Sequence, residues 1–109
     1  MELNTYQQLA LRTMSNIKKD PNQSLINGAL GLTGESGEVA DIVKKHIFHG
    51  HDLDRDAIKK ELGDVMWYVA CCATALDIEL EDVGTTNIEK LKKRYPNGFS
   101  KEYSKNRQE

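Results

Sequence analysis

Apolar positions recur at helical spacing along almost the whole chain. Leu3, Tyr6, Ala10, Met14 and Ile17 share one 3.6-residue face and predict a first helix from about Leu3 to Lys18. Asp20-Pro21-Asn22 reads as a turn, because Pro21 disfavours helix at the residue before it and Asp and Asn satisfy local amides. A second helix is predicted from about Gln23 to His46 or Phe48, with Ile26, Ala29, Leu30, Val39, Ile42 and Val43 as its apolar face. Gly28, Gly31, Gly34 and Gly37 recur every third residue in it, each costing on the order of 1 kcal/mol relative to alanine. Either another backbone or a ligand comes close at these glycines, or the helix breaks near Gly31–Gly34. Gly50 ends the element, His49 to Asp54 form a loop, and Asp54 or Asp52 caps a third helix reaching about Leu76 or Asp77. Leu80 to Tyr95 form the fourth, with Leu80, Val83, Ile88 and Leu91 inward, stopped by Pro96-Asn97-Gly98. Four helices on short links predict an all-α, antiparallel four-helix bundle-like domain with its helical core at about 3–95 and a polar tail at 96–109.

The 109 residues leave room for one domain, here taken as 1–109. Hydrophobic residues at 39% and charged residues at 29% describe a globular chain and exclude a disordered tail. A net charge of −2 and a pI near 5.9 supply no attraction for nucleic-acid polymers or anionic membranes. The longest apolar-plus-small run, Val65 to Leu76, has twelve residues, too few to cross a bilayer. No cationic start leads into an apolar stretch and cleavage site, and the two cysteines, Cys71 and Cys72, are adjacent with no others to pair with. Both features fit a reducing cytoplasm. One helical chain of this size has a thin core, so a homo-oligomer, dimer or tetramer, is expected to help bury it.

The third helix carries two occupied faces. Ile58, Leu62, Val65, Met66, Val69, Ala73 and Leu76 form an apolar stripe, while Glu61, Asp64, Tyr68, Cys71 and Ala75 form a second at i, i+3, i+7, i+10 and i+14. Glu61 and Asp64 thus stand at the mouth of an interior, where unpaired carboxylates are costly. Glu35 and Glu38, one turn apart on the second helix, precede them by a 22-residue spacer. If the two helices pack antiparallel, four hard oxygen donors converge, a set suited to Mg²⁺ or Mn²⁺ together with water and phosphate oxygens. Solvated or ion-paired helix faces are the structural alternative.

Phosphates also need cationic partners. Lys90, Lys93 and Arg94, with Asn87 one turn earlier, and Lys44 and Lys45 after the first acidic pair, are candidates, Arg94 for bidentate contact. A basic last turn favoured by the helix dipole is the competing account. Tyr68, one turn past Asp64 on the same stripe, is placed to touch a base, whereas Trp67 reads as core. His46, His49 and His51 make an incomplete tetrahedral set and read as surface or loop residues. No Glu-x-x-His occurs, which argues against a ferritin-like di-iron bundle.

The ordered motifs, Glu-x-x-Glu within GLTGESGEVADIVKK, Glu-x-x-Asp within KKELGDVMWY, and the following NIEKLKKRYP, closely resemble those of MazG-like nucleoside triphosphate pyrophosphohydrolases over about residues 3–99. The resemblance implies an all-α, Mg²⁺-dependent enzyme that cleaves nucleoside triphosphates between the α and β phosphates, with a house-cleaning role in the nucleotide pool. It implies Glu35, Glu38, Glu61 and Asp64 as metal ligands, with the first pair catalytic and Glu35 as the base. Lys45, Tyr68, Asn87, Lys90, Lys93 and Arg94 are the expected substrate contacts. Glu79, where a stronger cap is usual, and Gly84, inside the fourth helix, depart from the pattern. The competing reading is a non-catalytic nucleotide-sensing or regulatory dimerisation module.

Overall fold

The computed structural model describes residues 1–15 and 19–106, and among them the chain is all-helical without a β-strand. The five helices are α1 (Leu3–Leu11), α2 (Pro21–His49), α3 (Arg55–Ala75), α4 (Leu80–Arg94) and α5 (Lys101–Lys105).

The first helix is shorter than its periodicity predicts. It stops at Leu11, where the Thr13 hydroxyl donates to the Ala10 carbonyl at 3.0 Å and the Thr13 amide bonds the same oxygen. Trp67 Nε1 donates in turn to that hydroxyl at 2.8 Å, which fastens the end of α1 to α3. Met14 still packs on the core from outside the helix, while Ile17 and Lys18 lie outside the described residues.

Pro21 begins α2 rather than sitting in a separate turn. Asp20 is the N-cap, its carboxylate accepting from the Gln23 amide at 3.1 Å, and Pro21 takes the first position, where a missing N–H costs nothing. The helix then runs unbroken through all four glycines for 29 residues, about 43 Å. Gly50, at φ 74°, closes it in the left-handed conformation. Asp54 caps α3 as predicted, accepting from the Ala57 amide at 3.0 Å.

The α3–α4 link explains both departures noted in the fourth helix. Glu79 makes no side-chain cap. The caps come from α1 instead: Gln7 Oε1 accepts from the Leu80 amide at 2.7 Å and Asn4 Oδ1 from the Glu81 amide at 3.0 Å. The Gln7 Nε2 group donates to the Ile78 carbonyl and the Thr74 hydroxyl, so this buried amide is fully used. Gly84 lies where α1 crosses α4; a Cβ there would come within 3.1 Å of Leu3 Cδ1. Beyond Gly98 the polar tail contains the short α5, capped by Ser100.

The core is small: Ala10, Ala70 and Leu80 are buried, with Tyr6, Met14, Trp67 and Val69 packed around them. α3 is central, packed by α2, α1 and α4, whereas α2 packs chiefly on α3, so among the described residues the helices do not close into a bundle within one chain. Several residues expected inside are consequently exposed. Ile26, Leu30 and Val43 on α2, Leu62 and Met66 on α3, and Val83, Ile88 and Leu91 on α4 are 37% to 70% accessible. The radius of gyration, 16.8 Å, exceeds the about 13 Å of a compact chain this long.

Candidate metal centre

Helices α2 and α3 pack antiparallel in a register that their small residues permit. Gly28 lies against Cys71 and Cys72, and Gly31 against Tyr68; one turn further along α2, Glu35 meets Glu61 and Asp64. One ligand oxygen from each of these three carboxylates lies within 4.8 Å of the others. Glu35 and Glu61 are partly buried and Asp64 is exposed, so the group sits at the rim of the α2–α3 interface.

Crowding of like charge shows in the protonation of Glu35. The close approach of the Glu61 carboxyl, partial loss of water, and the charges of Glu61, Asp64 and Glu38 together raise its pKa to about 6. Glu61 Oε2 is buried without a hydrogen-bond partner. A buried carboxylate oxygen left unpaired in an acidic cluster is the feature a cation removes, and three carboxylates suit a hard divalent ion.

Of the four acids singled out in the sequence, the structure thus brings together Glu35, Glu61 and Asp64. Glu38 stands one turn beyond Glu35, exposed, and reaches the group through its charge. Tyr68 lies where the stripe places it, its ring against α2 at Gly31 and edge-on to Trp67 with centroids 5.0 Å apart. Gly34 and Gly37, flanking Glu35, have open space beside them.

The expected phosphate contacts lie on α2 and α4. Lys45 is ion-paired with Asp41 at 3.0 Å, and Lys44 approaches the same carboxylate at 3.7 Å, which together hold Asp41 below its usual range. Asn87, Lys90 and Lys93 are exposed on α4, and Arg94 is partly buried there; α4 packs chiefly on α1 and α3. His46 Nδ1 lies 2.8 Å from the His51 carbonyl, a contact that closes the loop after α2. Burial pushes the thiols of Cys71 and Cys72 up, and both are free.

One neighbour escaped the sequence reading. Burial and the charge of Asp64 hold the Tyr6 phenol above its usual range, so α1 contributes to the surroundings of the acidic group. The periodicity of α1 marks Tyr6 only as a core residue, and nothing local distinguishes it.

An all-helical chain with a rim of converging carboxylates is the class of protein these observations define. Residues 23–99 match the model of the MazG nucleotide pyrophosphohydrolase domain. The chain belongs to this family. It is also 41% identical over 83 residues to the Gene 37 protein of Mycobacterium phage L5, covering 72% of this chain and 73% of the phage protein. No solved structure matches the chain. No helix among the described residues is long and apolar enough to cross a membrane.

Proposed function

We propose that the protein is a Mg²⁺-dependent nucleoside triphosphate pyrophosphohydrolase that converts NTPs or dNTPs to the monophosphate and pyrophosphate, with Mn²⁺ as a substitute ion. The observation that carries this reading is the convergence of Glu35, Glu61 and Asp64, one oxygen of each within 4.8 Å of the others. A triphosphate brings about four negative charges to a group that is itself acidic, so the two are compatible only through bridging cations. Glu35, Glu61 and Asp64 would hold the ion, with Glu38 beside them. A bound divalent ion lowers the pKa of water and offsets charge on the phosphoryl oxygens.

The chain's own contribution is positioning and proton transfer. Glu35 takes the proton of the attacking water as the new oxygen–phosphorus bond forms at the α phosphate. The bond from that phosphorus to the α–β bridging oxygen breaks, and pyrophosphate leaves with the electron pair. Glu35 is suited to this by its place at the rim of the α2–α3 interface, within reach of the oxygens of Glu61 and Asp64. Tyr68, one turn from Asp64 and partly exposed, offers its ring to the nucleoside. Lys90, Lys93 and Arg94, with Asn87, are proposed to meet the β and γ phosphates, and Lys45 to assist once released from Asp41.

Exposed apolar surface supports a homo-oligomer, in which a neighbouring chain brings such donors toward each carboxylate group. Ile26, Leu30, Ile47 and Phe48 lie on the side of α2 opposite Glu35 and are 60% to 78% accessible. A cytoplasmic house-cleaning role, removing surplus or non-standard nucleotides singly, completes the proposal. The test is pyrophosphate release from a panel of NTPs and dNTPs with Mg²⁺. Turnover that chelator abolishes supports the reading; nucleotide binding without turnover overturns it in favour of a sensing module.

A further inference from the structure

The packing of α2 on α3 sets a distance that the carboxylates alone do not. At Gly31 a Cβ would stand 2.1 Å from Tyr68 Cε1, 2.4 Å from Cζ and 2.5 Å from Cδ1. The aromatic ring therefore rests on bare α2 backbone, and no other residue type fits there unless the ring moves. Gly31 is one turn before Glu35, and Tyr68 one turn after Asp64, so this contact is the next rung of the interface that assembles the carboxylates. The ring is also held from the side. Trp67 meets it edge-on at an interplanar angle of 89°, and Trp67 is itself anchored by its hydrogen bond to Thr13.

We infer that Gly31 is a positioning residue: its missing side chain seats the Tyr68 ring against α2 and thereby sets the space for the nucleoside half of the substrate. This rests on the nucleotide reading above and adds to it a division of labour. The carboxylates and their cation meet the phosphates, and the Gly31–Tyr68 seat governs the nucleoside. Because every base presents a π face, the seat controls affinity for nucleotides as a class more than the choice among bases. The three nearest clashing atoms all belong to the Tyr68 ring and none to the α3 backbone, so Gly31→Ala displaces the ring and its edge-on contact with Trp67 before it separates the helices.

The test compares nucleoside triphosphates with inorganic tripolyphosphate, which has the phosphates and no nucleoside. In Gly31→Ala, KM for each NTP rises by about five- to tenfold, the loss falling on KM rather than kcat, while inhibition by Mg²⁺-tripolyphosphate keeps its wild-type constant. The fluorescence of Trp67, the single tryptophan, shifts because its edge-on partner has moved. Tyr68→Ala shows the same KM loss, and adding Gly31→Ala to it costs nothing more, since the glycine acts only through the ring. The double variant also lacks the clash, so it serves if Gly31→Ala alone folds poorly. Additive losses, equal losses for NTPs and tripolyphosphate, or unchanged KM in a folded Gly31→Ala protein overturn the inference. If the wild type binds NTPs without releasing pyrophosphate, the catalytic reading falls and the seat is judged by nucleotide dissociation constants. If it binds no nucleotide, both fall.

Discussion

The Glu35 carboxyl on α2 lies against the Glu61 carboxyl on α3, an oxygen of each within 4.8 Å, and this contact does most to raise Glu35 to about pKa 6. Two carboxyls can share a hydrogen bond only while one keeps its proton, so the metal-free interface is pH-dependent. Glu35 binds its proton more tightly folded than unfolded. Its stabilising contribution is fully present below about pH 4.5, the ordinary value, and is lost as pH rises through about 6. In chelator, melting temperatures of wild type and Glu35→Gln therefore diverge across that window: the wild type alone loses this contribution as pH increases. A divalent ion competes with the proton, so Mg²⁺ stabilises the wild type strongly at pH 7.5 and weakly at pH 5. Parallel melting profiles for the two proteins would exclude the shared carboxyl pair.

The acids should differ in weight. Glu61 and Asp64 belong to the group within 4.8 Å, whereas Glu38 contributes charge from one turn away. Glu61→Gln and Asp64→Asn are expected to remove metal-induced stabilisation and to lower Mg²⁺-dependent pyrophosphate release by roughly 100-fold or more, with helical circular dichroism intact. Glu38→Gln is expected to raise the Mg²⁺ concentration needed and to cost less in turnover. Equal losses at all four positions would mean that Glu38 joins the ligand set when the ion is bound.

Gln7 makes a prediction that concerns stability alone. Its buried amide bonds the Leu80 amide, the Ile78 carbonyl and the Thr74 hydroxyl, joining α1 to the start of α4. Gln7→Ala leaves backbone groups unpaired at about 1–3 kcal/mol, or roughly 5–15 °C in melting temperature for a chain of this size. Mg²⁺ affinity per folded molecule should not change. Calorimetry and metal titration of the same variant check both halves.

The limits of sequence reading follow the same division between local and tertiary causes. Asp54, Gly50 and the Asp20-Pro21 pair mark helix ends through bonds made within a few residues, so the bounds of α3 and the end of α2 were legible. The end of α1 depends on Trp67 reaching Thr13 across 54 positions, and the capping of α4 depends on Gln7 and Asn4; neither leaves a local trace. The carboxylate group was legible because Glu61 and Asp64 stand one turn apart on one helix and the Glu35–Glu38 pair one turn apart on the helix that packs antiparallel to it, although only Glu35 of that pair joins the group. Tyr6 was not, since its proximity to Asp64 arises from how α1 crosses α3. The inward direction assigned to Ile26, Leu30 and Val43 failed because α2 carries apolar residues on two sides and a single chain covers only one.

That uncovered side yields the last prediction. Leu30 is 70% accessible and Phe48 78%, and with Ile26 and Ile47 they line one face of a helix about 43 Å long. An apolar cavity of about 210 Å³ also opens among Leu3, Val65, Met66, Val69 and Val83 between α1, α3 and α4. A lone monomer exposing both would be poorly soluble, and a second copy laid along α2 offers the 1,200–2,000 Å² or so that stable association buries. Sedimentation at about 10 μM should give a multiple of 12.3 kDa for the wild type and a smaller species for Leu30→Glu. If neighbouring chains complete each site, pyrophosphate release per chain falls on dilution in step with dissociation, and Leu30→Glu is slow at every concentration despite intact carboxylates. A monomeric wild type at that concentration would show that α2 meets some other partner, and a fully active Leu30→Glu monomer would show that one chain holds the whole site.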